Sequence, residues 1–70
     1  MEDKFPDRLR ELRRARGVSC QVMAECCGLS KNAIRRYERG QREPGAQSVI
    51  KIARYFEVTT DYLLGVEKKF

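Results

Sequence analysis

Apolar side chains recur at intervals of three and four along this chain, and no stretch alternates with the period of two that a half-buried strand needs. The pattern predicts an all-α fold of short helices punctuated by glycine and proline. Phe5, Leu9, Leu12 and Arg16 fall at helical spacing, Pro6 stands where a first-turn proline is tolerated, and Gly17 closes the run. This predicts a first helix over roughly 6–16, whose other face carries Arg8, Arg10, Arg13 and Arg14. Ser19 is a suitable N-cap for a second helix, in which Cys20, Met23, Ala24 and Cys27 make an apolar stripe. Gly28 supplies the positive φ that stops it.

Leu29 and Ser30 follow, and Ser30 is expected to cap a third helix over about 30–39, with Ala33, Ile34 and Tyr37 inward and Gly40 at its end. Two helices this short, joined by a few residues around Gly28, cannot lie antiparallel and must cross steeply. Ala24 is small where their backbones approach. That is a helix-turn-helix. Residues 40–45 form a loop, and a fourth helix is expected over 46–56 with Ala46, Val49, Ile50, Ile52, Ala53 and Phe56 inward. Thr59 caps a fifth that holds Leu63 and Leu64 and stops at Gly65.

The chain has 70 residues, which is room for one domain, with a core over about 5–65 and a frayed tail over 66–70. It contains no histidine. That removes the usual general acid–base, the Ser/His and Cys/His nucleophile pairs and most zinc sites, so an enzyme is not expected. Neither paired carboxylates nor a glycine-rich phosphate loop is present, and no cofactor, metal or small-molecule ligand is implied. No apolar run approaches the ~20 residues of a membrane span, and the N-terminus is no signal peptide, so a soluble cytoplasmic chain is expected.

Cys20, Cys26 and Cys27 are an odd number in one window, unlike a disulfide framework. On a helix the Cα atoms of Cys20 and Cys27 stand ~10 Å apart at ~1.5 Å per residue, beyond disulfide reach. Small core residues are the simple reading, and a vicinal thiol sensor at Cys26 and Cys27 is the sharper one.

Charge bears most directly on function. Fifteen Lys and Arg stand against ten Asp and Glu, a net charge of +5. Lys31, Arg35, Arg36, Arg39 and Arg42 fall within twelve residues that hold one acid, Glu38. With Ile34 and Tyr37 inward, Asn32, Arg35, Arg36 and Arg39 share the opposite face of the third helix. Arginine bonds bidentately to guanine O6/N7 and asparagine to adenine N6/N7, so these side chains suit the edges of the DNA major groove. Phosphates supply the complementary charge.

The run from Ser19 to Gly40, with Ala24, Gly28-Leu29-Ser30, Ile34 and Tyr37-Glu38-Arg39-Gly40, resembles the lambda/434 repressor and Cro type (XRE-like) of helix-turn-helix regulator. Arg8 to Arg13 resembles that family's first helix, and Glu43-Pro44, Ile52-Ala53 and Asp61 to Gly65 resemble its last two. The resemblance implies a compact five-helix lambda-repressor-like domain that binds duplex DNA as a prokaryotic or phage regulator, most simply a repressor. It implies base reading by Lys31, Asn32, Arg35 and Arg36. Backbone contacts would come from Ser30, Ser19, Arg39, Gln41, Arg42 and Arg13, and an Arg13–Glu38 ion pair would tie the first helix to the third. It further implies a homodimer on a roughly palindromic operator, joined near Tyr62.

The chain departs from the family at Cys20, where a glutamine is usual, and at Val22, where an acid would complete a capping box with Ser19. Two other readings stay open. A protein-interaction module would bind through the same face at high salt, and a thiol-responsive regulator would lose binding on oxidation of Cys26 and Cys27.

Overall fold

Ser19 opens the second helix as the sequence suggests, its hydroxyl accepting from the Val22 N–H at 3.1 Å, and Thr59 does the same for Tyr62 at 3.0 Å. A computed structural model describes residues 4–66. Along them run α1 (Lys4–Arg16), α2 (Cys20–Cys27), α3 (Ala33–Glu38), α4 (Ala46–Phe56) and α5 (Thr60–Leu64), with no strand among the described residues. The tail expected to fray lies outside them from position 67 onward.

Each helix places one large side chain wholly out of reach of water: Leu9, Met23, Ile34, Ile52 and Leu63. Around these five pack Phe5, Ala24, Ala33, Tyr37, Val49, Ala53 and Phe56. The ring of Phe5 meets Tyr37 edge to face at 5.9 Å, and the Tyr37 hydroxyl donates to Ser48 Oγ at 3.3 Å. Truncating any one of the five to alanine removes about 2–5 kcal/mol. That is a large share of the stability of a domain this small.

Between α2 and α3 the chain reverses at Gly28, whose φ of 68° is left-handed, and the Leu29 N–H reaches back to the Ala24 carbonyl at 2.8 Å. Ala24 is fully buried at this turn. Several boundaries and faces differ from the sequence pattern. Helix α1 is already helical at Lys4, the first described residue and two residues before the expected start, and Pro6 is accommodated near its beginning because a first-turn N–H has no helical partner to lose. Helix α3 begins at Ala33 instead of Ser30. The Ser30 carbonyl accepts from the Ala33 N–H at 3.0 Å, which closes a turn, and Asn32 precedes the helix without a side-chain cap. Ser30 therefore contributes its main chain here and not a cap.

In α4 the inward stripe is Val49, Ile52, Ala53 and Phe56, while Ala46 and Ile50 face out. Ile50 lies one residue, about 100° of arc, off that stripe. In α5 only Leu63 is buried, and Leu64 is exposed for the same reason. Cys27 is buried and Cys20 half-buried against the core, whereas Cys26 is exposed. The adjacent pair thus splits between core and surface.

Helix α4 ends without a glycine. Glu57 adopts φ 59° and is the non-glycine residue with positive φ among the described residues. Its side chain is exposed and forms no hydrogen bond or ion pair with the described residues. Left-handed backbone costs an L-residue about 1–2 kcal/mol, and glycine avoids most of this. Glu57→Gly should therefore raise the unfolding free energy by about 0.5–1 kcal/mol, read from urea titration, after the extra freedom of the unfolded chain is discounted. A less stable variant would show that the glutamate side chain contributes more than its backbone costs.

Candidate nucleic-acid interface

The positive charge divides into two sets that do different things. On α1, arginines reach inward to main-chain carbonyls at the ends of other segments. Arg10 Nη2 donates to the Glu38 carbonyl at 2.7 Å, at the end of α3. Arg16 Nη2 donates to the Phe56 carbonyl at 3.2 Å, at the end of α4, with its guanidinium over the Tyr55 and Phe56 rings. Arg8 donates to the Tyr62 carbonyl in α5 and lies 4.4 Å from the centre of the Tyr62 ring. Arg13 Nη1 donates to the Val18 carbonyl at 3.1 Å, just before α2. The last carbonyls of a helix lack partners within it and carry its negative dipole end, so cations are stabilising there.

Arg13 also meets Glu38 side on, with Nε to Oε2 at 2.5 Å and Nη2 to Oε1 at 3.0 Å. Glu38 is 7% exposed. An isolated buried carboxylate would be costly, and the two-pronged guanidinium is what compensates it. Hydrogen bonding to Glu38 holds the Arg13 guanidinium above its ordinary pKa against the opposing effect of burial. The Cys20 thiol lies 3.8 Å from Glu38 Oε2 and can donate to it. Burial first, and the Glu38 charge second, push that thiol above its usual range. Burial does the same for Cys27, with Cys26 adding to it. Both thiols are therefore held in their neutral form.

The second set faces outward. On α3, Ala33, Ile34, Tyr37 and Glu38 are buried and Arg35 and Arg36 are exposed, as are Asn32 and Arg39 at its two ends. Lys31 and Ser30 are exposed in the turn that leads into α3, Gln41 and Arg42 in the loop that leaves it, and Ser19 at the start of α2. The side chains of Lys31, Asn32, Arg35, Arg36, Arg39, Gln41 and Arg42 make no hydrogen bond or ion pair among the described residues. Arg13 differs from these. Three of its nitrogens are already engaged, leaving only the second N–H of each Nη for any outside partner.

Sequence reasoning placed Arg8, Arg10 and Arg16 on the first helix without finding their partners. No group of three or more side chains suited to hold a metal converges among the described residues. No described helix is long and apolar enough to cross a membrane.

This arrangement has counterparts in known proteins. The helix-turn-helix family model matches residues 9–63, and the chain belongs to that family, one of transcriptional regulators and not of enzymes. The chain is 40% identical over 63 residues to the HTH-type transcriptional regulator AnsR of Bacillus subtilis, covering 90% of this chain and 54% of that protein. It is 37% identical to the restriction-modification controller protein C.AhdI of Aeromonas hydrophila, with a TM-score of 0.79 over 86% of this chain and 91% of that one. The P22 c2 repressor, solved with a synthetic operator, superposes with a TM-score of 0.86 at 23% identity, over 94% of this chain and 100% of that one. The last shows a shared five-helix fold. The chain spans about half the length of the curated relatives it matches.

The Arg13–Glu38 geometry carries a direct expectation. Glu38→Ala should lower the unfolding free energy by about 2–4 kcal/mol, because it strands a partly buried guanidinium. Glu38→Gln, which keeps one acceptor, should lose less. A loss below about 1 kcal/mol in urea titrations would class the pair with ordinary exposed ion pairs.

Proposed function

We propose that the chain is a sequence-specific duplex-DNA-binding regulator of transcription, a repressor, that sets α3 into the major groove. One observation carries this reading. Arg35 and Arg36 on α3, and Lys31, Arg39 and Arg42 beside it, make no side-chain hydrogen bond or ion pair among the described residues, on a helix whose inner side is locked into the core. A solvated arginine surface needs no such anchoring, whereas a groove-reading helix does. The fold shared with a repressor solved on its operator agrees. In this reading Lys31, Asn32, Arg35 and Arg36 address base edges, and Ser19, Ser30, Arg39, Gln41 and Arg42 hold phosphates. Arg13 adds a backbone contact through its remaining N–H bonds. The protein acts in the cytoplasm, on the nucleoid.

A homodimer on a roughly palindromic operator completes the proposal, with two α3 helices ~34 Å apart in successive major grooves. Ile50 and Leu64 are each 43% exposed on α4 and α5. They flank an apolar groove of about 320 Å³ lined also by Pro44, Ala46, Val49 and Thr60. Tyr62, also exposed, stands on the same short helix. This is the face we assign to the second copy. Leu64→Glu should shift sedimentation equilibrium toward monomer while leaving the helical circular dichroism unchanged. An unaltered assembly state would remove α5 from the interface.

Titration of duplexes recovered by the protein from a random pool should give a log K against log salt slope steeper than about −3. Arg36→Ala should cost ~1–3 kcal/mol and relax preference at one base position, whereas Arg42→Ala should weaken all sequences alike and make the slope shallower by about 1. Equal losses from both would overturn the division of roles. Absence of any mobility shift, with protein binding that survives high salt, would favour an interaction module instead.

A further inference from the structure

Helix α3 is six residues long, far below the length at which a helix holds itself, and Asn32, which precedes it, provides no side-chain cap. Its direction must be imposed from outside. At its C-terminal end every orphan carbonyl but one is taken by the reversal at Gly40. The Arg39 N–H bonds to the Arg35 carbonyl at 3.1 Å, the Gln41 N–H to Arg36 at 2.9 Å, and the Gly40 N–H to Tyr37 at 3.1 Å. The Glu38 carbonyl is left, and Arg10 Nη2 donates to it at 2.7 Å. The same guanidinium has its Nε 3.8 Å from Glu38 Oε1, and Asp7 Oδ1 lies 3.5 Å from its Nη1. Asp7 sits one turn earlier on α1 and steadies the arginine from its own helix.

We propose that Arg10 is a positioning residue for the α3 face. It holds the last residue of α3 by its main chain, while Arg13 holds that residue by its side chain. Two bonds from one rigid helix to two different groups of one residue fix rotation as well as distance. Arg13 alone grips the last turn of α3 only through the Glu38 side chain, so small rotations of the main chain there would be opposed by core packing alone. Rotation of a short helix swings Arg35, Arg36 and Asn32 together, and base contacts tolerate only about 0.5 Å of misplacement. Phosphate contacts by long side chains tolerate more. Arg10 therefore governs discrimination between sequences more than attachment to DNA. The inference rests on the DNA-binding reading for its consequence and on α3 alone for its cause, so it is tested at both levels.

The test compares wild type, Arg10→Ala and Arg10→Lys, each as the full chain. Without DNA, amide hydrogen exchange at Tyr37, Glu38, Arg39 and Gln41 should quicken about tenfold in Arg10→Ala, with α4 and α5 amides unchanged. With DNA, affinity for a duplex selected by the wild type from a random pool should fall about tenfold, and affinity for random-sequence duplex should stay within about twofold. The salt slope should not change, because no phosphate contact is lost. Arg10→Lys, which keeps a cationic donor on a long stem, should recover part of both effects. Equal losses on both duplexes with a slope shallower by about 1 would make Arg10 a phosphate contact and overturn the proposal. Faster exchange throughout α4 and α5 would overturn it in favour of a general stabilising role, and unchanged exchange and affinity would overturn it outright. Should the wild type select no duplex at all, the DNA-binding reading falls, and with it the discrimination role. The exchange measurement then still decides whether Arg10 holds α3.

Discussion

A buried carboxylate at the last position of α3 has to be matched, and Arg13 of α1 matches it with two parallel hydrogen bonds at 2.5 and 3.0 Å. The pair is less a source of net stability than a register device. Charges taken out of water regain roughly what they lose only when the geometry is good, and they penalise any arrangement that separates them. Since α3 is too short to define its own axis, this penalty sets where its outer face points. The third nitrogen of the same guanidinium bonds the Val18 carbonyl, which ties the entry of α2 to the exit of α3. Helices two and three, the helix-turn-helix itself, are thus held at opposite ends by one side chain of helix one.

The inward arginines of α1 and the outward cations of α3 illustrate how one residue type serves two purposes by location. On α1 the partners are carbonyls already fixed in place, so the guanidinium loses little further freedom on bonding and complements a helix dipole. On α3 the cations are exposed and make no hydrogen bond or ion pair among the described residues, so they remain available. A net charge of +5 on 70 residues therefore understates the asymmetry. Charge that faces solvent is concentrated around α3 and its flanking turns, and much of the remainder is committed to holding the helices together.

Similarity to the P22 c2 repressor at 23% identity with a TM-score of 0.86 shows one fold reached by very different sequences. What the five-helix fold needs is a small number of buried positions, one from each helix, and turns that reverse without strain. Leu9, Met23, Ile34, Ile52 and Leu63 meet the first need, and Gly28 and Gly40 meet the second. Glu57 shows that the turn requirement can be met imperfectly, by a residue that bears a backbone cost between the buried Phe56 and the half-buried Val58.

Much of this was legible in the residues alone. Helix periods, Ser19 and Thr59 as caps, the reversal at Gly28 and the composition of the α3 outer face all follow from local chemistry that each side chain carries wherever it stands. Errors fell where neighbours in space decide. Ile50 and Leu64 are as apolar as Ile52 and Leu63, and only the direction of the core separates them; Ser30 lost its capping place to a turn closed by its own carbonyl. The inward reach of Arg8, Arg10 and Arg16 was invisible for a deeper reason. Their partners are main-chain carbonyls, which are identical in every residue, so no pattern of side chains can mark which of them will be left open at a helix end beside a guanidinium. Side-chain identity determined what could pair with Glu38; only the assembled helices decided which carbonyls the other arginines would find.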